Sequence, residues 1–207
     1  MRRTRRTEYA EETRAALVRA AREIFTQKGY GATGTEEILQ RANASRGAMY
    51  HHFAGKEELF RAALEVVEEE FISQLAEGGA PGDDVWDEIC NGCQLFLDIA
   101  TEPSIQQLML IDGPSVLGWI EWRAIEERYG FGLLREFLRR AMVQGLIDEQ
   151  PIEALTHVLA GALNEAAIHI ANAPDGPRAR AEVGDTIARL LGGLRAGFAA
   201  PVGIAEG

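Results

Sequence analysis

The sequence contains little of what several protein classes need. Its 207 residues include two cysteines, Cys90 and Cys93, whereas a disulfide-stabilised secreted protein needs more. No run of uncharged apolar residues is long enough to cross a membrane, and the charged N-terminus is not followed by the apolar stretch of a secretory signal. The alternating pattern of strands joined by hairpin turns is absent as well. We therefore expect an all-α protein that works in the cytoplasm without a membrane partner.

Positive charge is also scarce, and it is unevenly distributed. Lys and Arg number 21 against 32 Asp and Glu, which gives a net charge of −11. Residues 1–60 nevertheless carry a net charge of +3, whereas residues 61–207 carry −14. A basic N-terminal part on an acidic body is typical of a protein whose N-terminal face alone meets phosphate. A disordered basic tail that contains Arg2, Arg3, Arg5 and Arg6 explains the same asymmetry.

Apolar residues recur at helical spacing along most of the chain, and Gly, Pro and capping residues separate the periodic segments. This pattern predicts about nine helices. They cover approximately residues 13–28, 35–42, 45–53, 56–77, 83–97 or 84–97, 103–110, 115–144, 151–172 and 178–198.

Single residues are expected to define several helix ends. Thr13 can cap the first helix, and Gly29 stands where a left-handed residue would end it. Thr33 and Glu36 have the spacing of a capping box, which would move the start of the second helix back by two residues. Gly113–Pro114 is expected to break the sixth helix, and the long seventh helix is expected to bend near Gly130 or Gly132.

The second and third predicted helices are short and are joined by Asn43–Ala44. A helix-turn-helix needs a tight turn at which one residue tolerates a positive φ, and asparagine is the best choice after glycine. Ser45 can cap the third helix, and its first N–H groups then stay free to meet phosphate. Arg46 projects early from that helix, within reach of base edges or phosphates. The pattern predicts a DNA-reading motif over about residues 35–54.

The residues expected to contact DNA lie on these helices and beside them. The small Gly47 and Ala48 permit close approach, Tyr50 can donate its hydroxyl to a phosphate, and Lys56 can neutralise another. Met49 and Phe53, four residues apart, are expected to face the core. The full set of candidates is Thr33, Thr35, Ser45, Arg46, Gly47, Ala48, Tyr50, His51 and Lys56.

The run TGTEEILQRANASRGAMYHHFAGKEELF, preceded by Gly29–Tyr30, resembles the DNA-binding domain of TetR-family repressors. The resemblance covers about residues 13–64. Its matched positions are the helix-one pattern ending in Phe25, Gly29–Tyr30, Ile38, Ser45, Gly47, Tyr50, His52–Phe53, Lys56, Glu57 and Leu59. Two positions depart from the family, which usually has Gly at Asn43 and often Thr at Gly34. The phosphate contact of the second helix is therefore expected from Thr33 or Thr35.

The resemblance also implies an architecture and a function. Such proteins are all-helical homodimers, in which three N-terminal helices bind DNA and a fourth links them to a domain with a small-molecule pocket. This implies a DNA-binding domain over residues 1–58, an effector-binding and dimerisation domain over 59–200, and a flexible tail over 201–207. The implied function is a transcriptional regulator, a repressor released from a palindromic operator by a small-molecule effector.

Candidates for the pocket and the dimer interface follow from side-chain type. Large apolar walls with few polar groups suit a small-molecule pocket, although the same residues also suit ordinary core. The pocket candidates are Trp86, Cys90, Cys93, Phe96, Met109, Trp119, Trp122, Tyr129, Phe137 and Asn164. The resemblance implies that the last two long helices pair with their twins in a four-helix bundle, and intramolecular core is again the alternative. The dimer-interface candidates are Leu155, Leu159, Ala162, Ile187, Leu191, Leu194 and Phe198.

Two patterns look like cofactor motifs but lack the context that such motifs need. Residues 29–34 match G-x-G-x-x-G, yet a helix precedes them instead of a strand. Cys90 and Cys93 match C-x-x-C without a second ligand pair for zinc, which favours packing and leaves a thiol sensor open. No acid, base and nucleophile assemble, so we expect no enzyme activity, no metal and no cofactor. The alternative function is a helical small-molecule-binding protein without a regulatory DNA role.

Overall fold

The computed structural model describes residues 5–78, 82 and 84–195. Within these residues the regular elements are helical, apart from one isolated antiparallel bridge between Ile147 and Arg195. The predicted all-α fold is confirmed. The helices are α1 (Arg5–Ala32), α2 (Thr35–Ala42), α3 (Arg46–His52), α4 (Lys56–Gly78), α5 (Val85–Ile99), α6 (Gly113–Glu126), α7 (Gly132–Val143), α8 (Ile152–Asn172) and α9 (Gly176–Gly192). Two π-helical segments, Ile105–Asp112 and Glu127–Phe131, complete the set.

The chain forms two compact units. The first unit comprises residues 1–77 and 98–130, and the second comprises residues 78–97 and 131–207. The first unit therefore holds α1–α4 together with the π-helical segment Ile105–Asp112 and α6. It extends well beyond residue 58, where the sequence predicts the end of the DNA-binding domain.

The core of the first unit forms where α1–α4 bury their apolar stripes. Ile38 and Leu39 are buried on α2, and Met49, predicted to face the core, is 1% exposed on α3. Phe25 lies at the centre, with its ring centroid 5.3 Å from that of Phe60 in an edge-on arrangement. Full burial of each such side chain contributes about 1.5–3 kcal/mol, so this small region has an apolar core of its own.

The end of α1 differs from the prediction in detail. Gly29 has the expected positive φ of 75°, but its ψ of 165° lies outside the left-handed helical region, and a further turn follows to Ala32. The start at Arg5 precedes Thr13, whose hydroxyl donates to the carbonyl of Tyr9 inside the helix and caps nothing. The predicted capping box is wrong too, because the Thr33 hydroxyl donates to the carbonyl of Gly29 and α2 has no side-chain cap.

The predicted break at Gly113–Pro114 is also wrong. The wide turns of Ile105–Asp112 lead directly into α6, and Pro114 occupies the first turn of α6. A proline is tolerated there because it has no backbone N–H to leave unpaired. A kink lies instead at Gly118, with φ 75° and ψ 160°, where the sequence predicts none. The bend expected near Gly130 coincides with the second π-helical segment.

The second unit packs α5, α7, α8 and α9 around a core that includes Trp86, Leu138 and Leu191. Gly145 follows α7 with a φ of 68°, and the N–H of Leu146 donates to the carbonyl of Ala141 at 2.9 Å. This is the hydrogen bond of a Schellman motif, and it explains why α7 stops where a glycine stands. In the part of the chain that the structure describes, no helix has the length and apolar character needed to cross a membrane.

We expect Gly29→Ala to lower the free energy of unfolding by about 1–3 kcal/mol, because that backbone conformation is accessible essentially to glycine alone. A Cβ at this position would also lie 3.1 Å from Nε2 of Gln107. Gly31→Ala is the matched control, since its Cβ would meet nothing within 4 Å. Urea unfolding of the two variants measures the difference, and equal losses of stability would contradict the assignment.

Candidate DNA-binding interface

The turn between α2 and α3 has the geometry that its sequence predicts. Asn43 adopts φ 50° and ψ 43°, the left-handed conformation that asparagine tolerates better than most residues. Its N–H donates to the carbonyl of Gln40 at 3.2 Å, and the N–H of Ala44 donates to that of Leu39 at 3.0 Å. The last carbonyls of α2 are thus satisfied, and the chain turns within three residues into α3.

The orientation of α3 follows from its cap and its two apolar residues. The hydroxyl of Ser45 accepts a hydrogen bond from the N–H of Ala48 at 3.1 Å. Met49 and Phe53 are buried, as predicted, and they hold one side of the helix against the first unit's core. The opposite side therefore faces solvent. Its exposed residues are Arg46, Gly47, Tyr50 and His51.

Tyr50 is 55% exposed, which is unusual for a large aromatic side chain on a seven-residue helix. Gly47 leaves open space beside it, since a Cβ there would meet only the Ser45 hydroxyl at 4.0 Å. A helix with an exposed phenol, an exposed arginine and room for close approach fits a major groove. Thr35 is half-buried in the first turn of α2, and Ala48 is half-buried on α3.

Basic side chains around α2 and α3 are paired with acidic ones in the structure. Arg46 pairs with Glu36, and both side chains are 64% exposed. Such exposed pairs contribute at most about 1 kcal/mol, so a phosphate can replace the carboxylate at little cost. The other two pairs near these helices are Lys28–Glu37 and Arg41–Glu23.

Two of the predicted DNA contacts have structural roles instead. The Thr33 side chain is buried, and its hydroxyl is committed to Gly29. The ammonium of Lys56 donates to the carbonyls of Tyr30 at 2.8 Å and Thr33 at 2.9 Å. It also lies 3.9 Å from the centre of the Tyr30 ring. Lys56 therefore bridges the last turn of α1 and the residue just after it, and in this structure the Thr33 hydroxyl is directed to Gly29 and not outward to a phosphate.

A buried carboxylate completes this arrangement. Oδ2 of Asp112 accepts hydrogen bonds from the N–H of Tyr30 at 2.8 Å and from Nε2 of Gln107 at 3.0 Å. The peptide groups of Tyr30 are thus held on one side by Asp112 and on the other by Lys56, a set that we call the Tyr30 clamp. Burial lowers the pKa of Lys56, whereas the charge of Asp112 raises it. The clamp joins the end of α1 to the π-helical segment Ile105–Asp112 within the first unit.

Sequence reasoning missed Asp112 and Gln107 as functional positions. Asp112 lies 82 residues from its partner Tyr30, and no local pattern reports such a distance. The one available signal was a carboxylate at the end of the otherwise uncharged run IQQLMLID, because a buried acid needs donors.

The pocket candidates are divided between the two units. In the first unit Trp122 is buried and donates from Nε1 to the carbonyl of Met109 at 3.0 Å, whereas Trp119 is 62% exposed. Tyr129 donates its hydroxyl to Glu69 at 3.4 Å. In the second unit the candidates pack in or against the core. They are Trp86, Cys90, Cys93, Phe96, Phe137 and, half-buried on α8, Asn164. The candidates of the first unit are therefore split between core and surface, whereas those of the second unit are buried or half-buried.

The two cysteines belong to the packing of α5. Burial raises the pKa of Cys93 to about 12, and the neighbouring Cys90 adds to the shift. Burial, followed by the charge of Asp87, raises the pKa of Cys90 as well. The thiolate is the reactive form of cysteine, so these environments favour inert thiols. The structure supports packing over the thiol sensor that the sequence left open.

Most of the apolar residues predicted for a dimer interface pack inside the second unit. Leu155, Leu159, Ile187 and Leu191 are buried in the core of the second unit, because α8 and α9 turn these stripes toward α5 and α7. Ala162 and Leu194 are half-buried. Phe198 lies outside the described residues. The same two helices expose other apolar residues, Val158 at 72% and Leu190 at 57%.

A cleft of about 510 Å³ lies at the turn between α8 and α9, and the sequence did not predict it. Its lining residues include the charged or polar Glu165, His169, Asp175, Arg178 and Glu182, whereas apolar atoms supply most of the lining surface.

We expect Asp112→Ala to lower the free energy of unfolding by about 1–3 kcal/mol, because the N–H of Tyr30 loses its acceptor. The exposed Asp148 provides the control, and Asp148→Ala should change stability by less than about 0.5 kcal/mol. Hydrogen exchange at the amide of Tyr30 gives a second, local measurement. An unchanged exchange rate in Asp112→Ala would show that the clamp is not formed in solution.

Comparison with known proteins agrees with this geometry. Residues 17–63 match the family model described as bacterial regulatory proteins, tetR family, and residues 86–194 match that of the tetracyclin repressor-like C-terminal domain. The Transposon Tn10 TetC protein of Escherichia coli is 24% identical over 168 residues, which are 78% of this chain and 82% of the relative.

Solved structures extend the similarity over nearly the whole chain. A TetR-family transcriptional regulator from Pectobacterium atrosepticum has a TM-score of 0.76 and 32% identity, covering 93% of this chain and 98% of its own. RolR in complex with resorcinol has a TM-score of 0.70 at 20% identity, with coverage of 92% and 91%, and so shares the fold. The C-terminal family model alone spans more than half of the residues. The chain belongs to the TetR family of transcriptional regulators.

Proposed function

We propose that this TetR-family regulator binds a palindromic operator as a homodimer in the cytoplasm and is released from it by a small-molecule effector. The observation that carries the DNA-binding part is the placement of α3. Met49 and Phe53 fix one side of this helix in the core, and Arg46, Gly47 and Tyr50 are left facing solvent. Two such helices, one from each subunit, then enter successive major grooves.

Each exposed residue of α3 has a distinct task in this proposal. Arg46 leaves Glu36 and donates to a base edge or a phosphate, and Tyr50 donates its hydroxyl to a phosphate. Gly47 lets the helix approach closely, with Ala48 and His51 beside the contact. The first turn of α2, at Thr35, has no side-chain cap, so its N–H groups are open to a phosphate.

Dimerisation is assigned to the outward faces of α8 and α9 instead of the stripes expected from the sequence. Val158 and Leu190 supply exposed apolar surface there, and Gly161 adds a small exposed residue on α8. Apolar surface on two neighbouring helices is stabilised by contact with its own copy, and a two-fold axis presents the same patch from both subunits.

Release is assigned to the Tyr30 clamp. The clamp joins the end of α1 to residues 105–112. A rearrangement of this π-helical segment therefore displaces α1 and the helices α2 and α3 that follow it. π-helical turns recur at functional sites because a helix changes register there at small cost. A ligand acts in this way only if it binds one arrangement more tightly than the other. That RolR, a protein of the same fold, holds resorcinol supports a small-molecule effector.

We expect Arg46→Ala to weaken operator binding about tenfold or more, because each half-site loses a charged hydrogen-bond donor. Tyr50→Phe should weaken it about threefold to tenfold through the loss of one hydrogen bond to phosphate. The operator is obtained by selection from a random duplex library, and binding is titrated at one fixed salt concentration. Arg139→Ala is the matched control, since Arg139 is an exposed arginine of α7 paired with Glu136. Absence of any selected sequence would favour a ligand-binding protein without a DNA role.

We expect Val158→Asp to raise the dimer dissociation constant at least about tenfold, because the change buries a charge on each side of the interface. Val143→Asp is the control, as Val143 is 83% exposed on α7 and outside the proposed interface. Sedimentation velocity across a concentration series distinguishes the two variants. An intact dimer in Val158→Asp would place the interface elsewhere.

A further inference from the structure

A buried acid in the first unit has no role in DNA binding. Glu68 of α4 is 1% exposed, and its Oε1 has no hydrogen-bond partner. The charged group that acts on it is Glu126 of α6, which is itself buried at 5% exposed. Two neighbouring carboxyl groups in such a place ionise together only when a cation lies between them. Oε1 of Glu68 is thus a buried acceptor without a hydrogen-bond donor, and it lies within the electrostatic influence of Glu126.

The other charges around Glu68 have partners. Acidic and basic residues of α4 pair with groups on α1, α6 and the following π-helical segment. The pairs are Arg61–Glu121, Glu65–Arg128, Glu69–Tyr129 and Glu70–Arg22.

Beside the two acids, the protein already binds a planar cation of its own. The guanidinium of Arg123 donates from Nη1 to Oε2 of Glu126 at 2.8 Å. Its central carbon lies 4.3 Å from the centre of the Trp119 ring and 4.7 Å from that of Trp122. The two indoles, 5.3 Å apart at 55°, with the carboxylate make an environment in which aromatic faces and charge both attract a flat cation.

The two indoles of this environment differ in exposure: that of Trp122 is buried, and that of Trp119 faces solvent. Trp122 is buried and anchored through Nε1 to the carbonyl of Met109. Trp119 is 62% exposed and follows Gly118, the kink of α6. The Arg123 side chain is 20% exposed, so it lies between solvent and the buried acids. A ligand that approaches past Trp119 therefore meets the Arg123 guanidinium, which is paired with Glu126.

We propose that Glu68, Glu126 and the two indoles bind a planar organic cation, an amidinium or a guanidinium, which replaces the Arg123 guanidinium. This inference rests on the proposed function, because the cation would be the charged group of the effector. A metal ion is the weaker choice, since no group of three metal-ligating side chains occurs among the described residues. The flat shape follows from the guanidinium that the indoles already hold.

Binding of such a cation is linked to loss of a proton. Burial, and then the charge of Glu126, raises the pKa of Glu68 to about 8, so this acid is protonated at neutral pH. The Arg123 guanidinium donates to Glu126 and leaves Oε1 of Glu68 without a donor, whereas the proposed cation donates to both carboxyl groups. This added contact favours the carboxylate form of Glu68, and its proton passes to solvent as the ion pair forms. Affinity therefore rises about tenfold per pH unit below that pKa and levels off above it.

The first experiment uses benzamidinium as the probe and neutral benzamide as its matched control, with the full-length protein in a calorimetric titration. We expect saturable binding of benzamidinium, with about tenfold higher affinity at about pH 7 than at about pH 6 and release of one proton. Benzamide should bind at least about tenfold more weakly. Equal affinity for the two probes, or an affinity independent of pH, would overturn the proposal.

Variants then test the individual residues. Glu68→Gln keeps the shape of the neutral acid, and it should weaken benzamidinium binding about tenfold and abolish the pH dependence. Arg123→Ala removes the guanidinium that competes with the ligand for Glu126 and the indoles, and it should strengthen benzamidinium binding about tenfold. Glu77→Gln is the control on the same helix, because Glu77 is exposed and pairs with Ser73. Binding unaffected by Glu68→Gln, or no binding in either the wild type or Arg123→Ala, would refute the site.

The operator titration separates this inference from the proposed function. Wild-type protein that binds its selected operator but no benzamidinium retains the function and lacks the site. Protein that binds benzamidinium through Glu68 but selects no DNA has the site without the function. If both hold, saturating benzamidinium should weaken operator binding in the wild type and leave Glu68→Gln unaffected at the same concentration.

Discussion

The Tyr30 clamp is the interaction on which the arrangement of the first unit depends. An α-helix ends with carbonyls that have no partner inside the helix, and here the ammonium of Lys56 donates to the carbonyl of Tyr30 in the last turn of α1 and to that of Thr33 just beyond it. The carboxylate of Asp112 accepts a hydrogen bond from the N–H of Tyr30, so the chain at the end of α1 is held from both sides. The positive φ at Gly29 favours a residue without a Cβ, and a Cβ there would also press against the side chain of Gln107.

In this chain the Tyr30 clamp joins the end of α1 to the π-helical segment Ile105–Asp112. The reading helix α3 is short and depends on the core beneath it, because seven residues do not make a stable helix alone. Its orientation is set by Met49 and Phe53 on one side and by the turn at Asn43 on the other. Displacement of residues 105–112 would thus change the position of α3 without any change within α3 itself.

Charge plays two different roles in the first unit. On the surface of α2 and α3, exposed pairs such as Arg46–Glu36 hold basic side chains near the proposed DNA face at small energetic cost. Between α4 and α6, burial makes the same kind of group expensive, so the proton of Glu68 and the guanidinium of Arg123 each limit the uncompensated charge. The proposed effector chemistry follows from that second setting, where desolvation makes electrostatic recognition strong.

The sequence by itself determined the features that depend on neighbouring residues. The bounds of α2, the cap at Ser45, the left-handed Asn43 and the burial of Met49 and Phe53 all follow from spacings of a few residues, and the structure confirms them. The family resemblance over residues 13–64 relied on the same local pattern. Tertiary structure alone decided the partner of Lys56, the burial of Thr33 and the inward direction of Leu155 and Ile187. The sequence pattern of an apolar helix face is the same whether that face packs within one subunit or between two. The sequence around a lysine beside a DNA-binding helix likewise does not show which group its ammonium binds. The acceptor can be a phosphate or, as for Lys56, a backbone carbonyl 26 residues away.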